Sequence, residues 1–146
     1  MTIEEAVRTR LLTLDAVAAL TTTIKFYELL MTDLPQGGAA IVIRTANRTW
    51  DDDNNLDGRT TLARATVIIT ALSRKLSVAS SLAEAVRTNS TNPGTGMGPC
   101  SVTTGDLPFQ ATLLSEETDR ARDEDGSDIG VWSVEQTYTL TFTETQ

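Results

Sequence analysis

The sequence contains no histidine and only one cysteine, Cys100. Without histidine, neither a Ser-His-Asp nor a Cys-His arrangement can be assembled. A single cysteine cannot form an intrachain disulfide and suggests reducing conditions. A zinc site would have to be built almost wholly from carboxylates, which is a poor ligand set for that metal. No run of about 18 apolar residues exists, so no membrane-spanning helix is expected. The opening Met1-Thr2-Ile3-Glu4-Glu5 has no basic segment followed by an apolar one, so it does not read as a secretory signal. Basic residues are also scarce, 12 against 20 acidic, for a net charge of −8. Binding through phosphates needs clustered Lys and Arg, so adhesion to nucleic acid is disfavoured.

What is present suits a single domain spanning residues 1–146. A chain of 146 residues can bury roughly two-thirds of its unfolded surface, enough for one core. Thr2 and Glu5 stand at capping-box spacing. Behind them Ile3, Ala6, Val7, Leu11 and Leu14 share one helical face, and Asp15 can cap a short further turn. Thr21-Thr22-Thr23 ends this helical stretch, because consecutive β-branched residues disfavour helix.

Strands are expected over 23–31, 39–45, 60–72 and 131–143, with a fifth over 110–114. Pro35-Gln36-Gly37-Gly38 forms the turn between the first two. In the longest, Ala63, Ala65, Val67, Ile69 and Ala71 line one face with side chains small enough for a helix to pack closely. In the last, Trp132, Val134, Tyr138, Leu140 and Phe142 alternate with Thr137, Thr139, Thr141 and Thr143. That pattern indicates an antiparallel sheet with one covered face. A second main helix is expected over 77–88, with Val78, Leu82, Ala85 and Val86 as its apolar stripe. The expected fold class is α+β, a mostly antiparallel sheet of four to five strands with two helices on one face. Long loops are expected at 46–59, 89–106 and 115–128. The last holds seven acidic and two basic residues.

Three motifs invite chemistry. Asp53-Asn54-Asn55-Leu56-Asp57-Gly58 opens like an EF-hand loop, but the twelfth position is Arg64 where a bidentate Glu is needed. A solvated inter-strand turn is the plainer reading. Gly94-Thr95-Gly96-Met97-Gly98 lacks the Lys-Ser/Thr of a phosphate loop. The carboxylates of 115–128 could supply an acid–base pair, drawn from Asp119, Asp123, Glu124 and Asp128. Their uniformly polar surroundings give no means of shifting a pKa. No metal site, cofactor or catalytic residue is therefore expected, and Cys100 has no base nearby in sequence to activate it. Trp50, Met97 and Phe109 fall in or beside polar loops. Each either folds back on the core or serves as an anchor for a partner.

The element order, with particular residues in place, resembles a known family. The segments are "IEEAVRTRLLTLDAVAAL", "LPQGGAAIVI", "RATVIITALSRKLSVASSLAEAV" and the closing "IGVWSVEQTYTLTF". Together they look like the tail-terminator, or tail-completion, proteins of long-tailed bacteriophages and phage-like particles. The resemblance covers nearly the whole chain and rests on pattern, not on an invariant motif. It implies a virion neck protein, assembled in a bacterial cytoplasm, that forms a homo-oligomeric ring, usually of six subunits. Such a ring caps the head-proximal end of the tail tube and docks a head-completion protein. DNA passes through its lumen, where an acidic wall would prevent adhesion.

On this reading the candidate interface or lumen residues are Trp50, Asp51, Asp52, Asp53 and Met97, with Glu116, Glu117, Asp119, Asp123, Glu124 and Asp125. The rival expectations are a head-closure or adaptor ring of the same particle, a small carboxylate-dependent hydrolase and a calcium-stabilised module.

Overall fold

The computed structural model describes residues 2–27, 34–35, 37–55, 60–89, 95–98, 100–102, 107–122 and 128–145. In chain order they form α1 (Ile3–Thr13), α2 (Asp15–Ala18), β1 (Ile24–Phe26), β2 (Ala39–Asn55) and β3 (Thr60–Ser73). Then come α3 (Leu76–Thr88), β4 (Cys100–Val102), β5 (Phe109–Arg122) and β6 (Asp128–Thr145). The six strands make one sheet in the order β1-β2-β3-β6-β5-β4, curled into a half-barrel. Only β1 and β2 run parallel; every other neighbouring pair is antiparallel.

The expected α+β class holds, but with six strands and three helices among the described residues. The strands are also much longer than their apolar stretches. β2 continues through Asn55 and β5 through Arg122, so most of the loops expected at 46–59 and 115–128 is sheet. The reason is that β2–β3 and β5–β6 are antiparallel hairpins held by backbone hydrogen bonds, which polar side chains do not prevent. Conversely, the strand expected over 23–31 is cut short. Tyr27 takes a left-handed φ of 63°, and no strand ladder continues through that conformation. The rest of that stretch, 28–33, lies outside the described residues.

α1 begins as the capping box requires. The Thr2 amide donates to Glu5 Oε2 at 2.9 Å and the Glu5 amide to Thr2 Oγ1 at 3.2 Å. Its buried residues Ile3, Ala6, Val7 and Leu11 face the sheet and α2. α3 packs on β3 and β6, burying Ala79, Leu82, Ala83, Ala85 and Val86. Beneath the helices lie Ala63, Ala65, Val67, Ile69 and Ala71 of β3 and Val134, Tyr138, Leu140 and Phe142 of β6. These residues form one continuous core.

The opposite face carries no helix among the described residues. Its centre is a ladder in which Thr66 faces Thr139 and Thr139 faces Thr112. At one end Leu34 covers Ala40, Leu72 and Val131 in a small separate cluster.

Candidate functional site

Among the described residues both borders of the sheet are only half covered. β1 pairs with β2 at Ile41, Val42 and Ile43, and the Tyr27 amide closes the pairing on the Ile43 carbonyl at 2.9 Å. Among the described residues no strand lies against β2 beyond that point, and Arg44, Ala46, Asn47, Thr49 and Trp50 are exposed. At the other border β4 pairs with β5 at Phe109, Gln110 and Ala111. Beyond Ala111 no described strand lies outside β5, and Leu114 through Asp119 are exposed on both faces of the strand. A β-bulge between Leu113 and Ser115 turns Leu114 outward, where it is 60% exposed. Half-open edges of this kind leave backbone donors and acceptors for another strand.

The residues singled out from the sequence separate into three groups. Trp50 is 53% exposed on β2 and stands across from Ala63, on the row that continues to Phe142 and Phe109. Asp51, Asp52 and Asp53 are on β2, not in a loop. Glu116, Glu117 and Asp119 are on β5, close to the open edge. Asp123, Glu124 and Asp125 lie outside the described residues.

Met97 is a correction. It is wholly buried in the core, as Phe109 is at 3% exposure, so neither serves as an exposed anchor. The cause lies in the end of α3. Asn89 caps the helix in the left-handed conformation, φ 50°. Its Oδ1 accepts from the Ala16 amide at 3.1 Å and its Nδ2 donates to Thr95 Oγ1 at 2.7 Å. The following segment returns onto the helix end, where the Met97 and Gly98 amides donate to the carbonyls of Val86 and Arg87. A Cβ on Gly96 would collide with the Arg87 carbonyl. Gly96 therefore serves a close backbone approach, and Gly98 leaves room for the side chains of Leu113 and Tyr138.

Two polar clusters were not foreseen. In the first, Glu4 Oε1 accepts from Thr45 Oγ1 at 2.6 Å, Tyr27 Oη at 3.2 Å and Arg48 Nη2 at 3.4 Å. Burial alone would raise the Glu4 pKa. The hydrogen bonds, led by that from Thr45, and the Arg48 charge outweigh it and hold the carboxyl below its ordinary value. In the second, Gln136 Nε2 donates to the Ala83 carbonyl and to Glu116 Oε2, both at 2.8 Å, and Tyr138 Oη donates to Gln136 Oε1 at 2.7 Å. Gln136 was detectable, since it interrupts the apolar parity of β6 between Val134 and Tyr138. The Glu4 cluster was not, because it joins residues up to 44 positions apart.

On the outer face a shallow groove of about 380 Å³ is lined by Thr70, Leu72, Glu117, Asp119, Arg120, Ser133 and Glu135. Asp119, one of the carboxylates a hydrolase would have used, is exposed there. Burial pushes the Cys100 thiol pKa up, against the opposing pull of Arg10, which works against a reactive thiolate.

No family model matches the sequence, and no curated protein does. Among solved structures, the fold is similar to that of a chain in "Virion of native gene transfer agent (GTA) particle". The TM-score is 0.62 at 12% identity, over 97% of this chain and 95% of that one. At that identity the likeness shows a shared fold.

Proposed function

We propose that this protein is a structural component of a phage-like virion, and specifically the ring that terminates the tail tube. The observation that carries the virion part is the fold shared end to end with a virion chain, 97% of one and 95% of the other. The terminator position comes from the sequence resemblance described above, since the likeness is to a virion chain without regard to its place in the particle. The half-open borders of the sheet support an assembling role, because a free edge is satisfied by a neighbouring subunit. No cofactor and no catalysis belong to this reading. The protein would be found in the virion neck, with the tail tube protein on one side and the head-completion protein on the other.

Purified protein mixed with tail tubes and, separately, with portal rings tests the proposal. Density at tube ends is expected. Binding to portal rings alone would assign the protein to head closure, and binding to neither would overturn the virion reading.

A further inference from the structure

Two described residues other than glycine take a left-handed φ, Asn89 and Tyr27. Asn89 is the buried C-cap of α3, a position where asparagine adopts that conformation readily. Tyr27 caps no helix, and aromatic residues favour the extended backbone of a strand. A left-handed φ is costly for a bulky residue and persists only where the surroundings enforce it. Core packing does not enforce it here, because Tyr27 is 59% exposed. Among the described residues two hydrogen bonds hold Tyr27. Its amide donates to the Ile43 carbonyl at 2.9 Å, which fixes the peptide before Tyr27 but not rotation about its own N–Cα bond. That rotation is fixed by the second bond, from Tyr27 Oη to Glu4 Oε1 at 3.2 Å.

The Glu4 carboxylate is itself held from β2, by Thr45 Oγ1 at 2.6 Å and Arg48 Nη2 at 3.4 Å. The other described charges nearby are directed elsewhere. On α1, Glu5 accepts from the Thr2 amide and Arg8 lies over the Phe26 ring, 5.8 Å from its centroid. On β1, Lys25 stands beside Val42, on the opposite parity from Phe26. On β2, Arg44 reaches toward Glu135 at 3.8 Å. We propose that Tyr27 is a strained hinge at the end of β1 and that Glu4 is its proton-operated latch: loss of the Glu4 charge lets Tyr27 rotate out of the left-handed region. A hydrogen bond to a charged acceptor is roughly twice as strong as one to a neutral acceptor. The cost of the left-handed backbone lies between the two. The ionised carboxylate therefore outweighs the strain, and the neutral carboxyl does not. Burial raises the Glu4 pKa, but the bond from Thr45, that from Tyr27 and the Arg48 charge outweigh it and lower the value. The latch is thus closed at neutral pH and opens as pH falls through that lowered value. The hinge belongs to the single chain, so it does not depend on the ring reading.

Magnetic resonance on the full-length protein, isotope-labelled in tyrosine only, tests this. The chain has two tyrosines, and backbone carbon shifts separate a left-handed residue from an extended one. Tyr138, buried in β6, serves as the internal control for folding. In wild type at pH 7 Tyr27 should give a left-handed signal and Tyr138 a strand signal. Acidification to pH ~3, below the ordinary carboxylate value, should lower the left-handed-to-extended ratio at Tyr27 about tenfold and leave Tyr138 in place. Glu4→Gln, which keeps the shape without the charge, should show the lowered ratio already at pH 7 and no response to acid. Glu4→Ala should do the same, since neither change touches the Thr2–Glu5 cap. A Tyr27 signal that stays left-handed in both variants would overturn the proposal. So would one that is unmoved by acid in wild type, or that moves only together with Tyr138.

Discussion

The Glu4 carboxylate on the first turn of α1 accepts from the Arg48 guanidinium at 3.4 Å because β2 bulges between Thr45 and Asn47. Three residues apart, Thr45 and Arg48 would otherwise point to opposite faces of a regular strand. The extra residue, Ala46, brings both to the helix-covered side, where Glu4 ties the start of α1 to the strand that also carries the open edge.

Thr45→Val should therefore lower stability by about 1 kcal/mol at neutral pH, the worth of one hydrogen bond to a charged group discounted for partial exposure. The Glu4 pKa is lowered in the folded state, so the stability it contributes is complete above the ordinary carboxylate value. That contribution is lost as pH falls through the lower folded value. Urea unfolding of wild type and variant should show a gap at pH 7 that narrows in acid. A gap that is constant with pH would remove Glu4 from the account.

Tyr138 gives the opposite sign. Burial, followed by the Glu116 charge, raises its pKa. The stability linked to its protonated form is therefore complete below the ordinary value near ~10 and is lost as pH rises toward the folded value. With two tyrosines in the chain, Tyr27→Phe leaves Tyr138 as the sole reporter. Its phenolate absorbance should rise only together with unfolding. Reversible ionisation near pH ~10 in the folded protein would contradict the buried Tyr138–Gln136 bond.

Met97 and Trp50 looked alike in the sequence, and substitution should separate them. Met97→Ala should cost about 2–5 kcal/mol, the range for truncating a buried side chain. Trp50→Ala, at a half-exposed position, should change stability by less than ~1 kcal/mol while impairing assembly. Denaturant midpoints and light scattering on both variants check this. Comparable losses of stability would contradict the placement of one in the core and the other at the surface.

Among the described residues outside helices and strands, Gly96 and Asn89 should be especially sensitive to substitution. Gly96→Ala forces the returning segment off the Arg87 carbonyl. Asn89→Ala leaves the buried Ala16 amide without its side-chain acceptor at a cost of about 1–3 kcal/mol, plus the left-handed strain of about 1–2 kcal/mol. Asn89→Gly relieves that strain and should be the milder change. Thermal melts rank the two directly.

How much of this was legible depended on burial. The capping box at Thr2 and Glu5, the small residues of β3 and the alternation of β6 were readable because one side of each element meets the core and the other does not. β5 from Ser115 to Arg122 gave no such signal. Leu114 through Asp119 are exposed on both faces of an edge strand, so nothing in the pattern alternates, and the stretch read as a loop. The close approach at Gly96 and the gathering of Thr45, Tyr27 and Arg48 on Glu4 depend on contacts distant in sequence. Single-chain patterning carries no record of those. The half-covered edges among the described residues follow from the short pairings of β1 and β4, which only strand pairing reveals.

The central claim is most directly tested by imaging tail tubes polymerised with and without the protein in electron micrographs. The account predicts one ring of extra density at a single end of each tube, with growth at that end stopped. Tubes that grow to the same lengths either way, with no added density at either end, would contradict it.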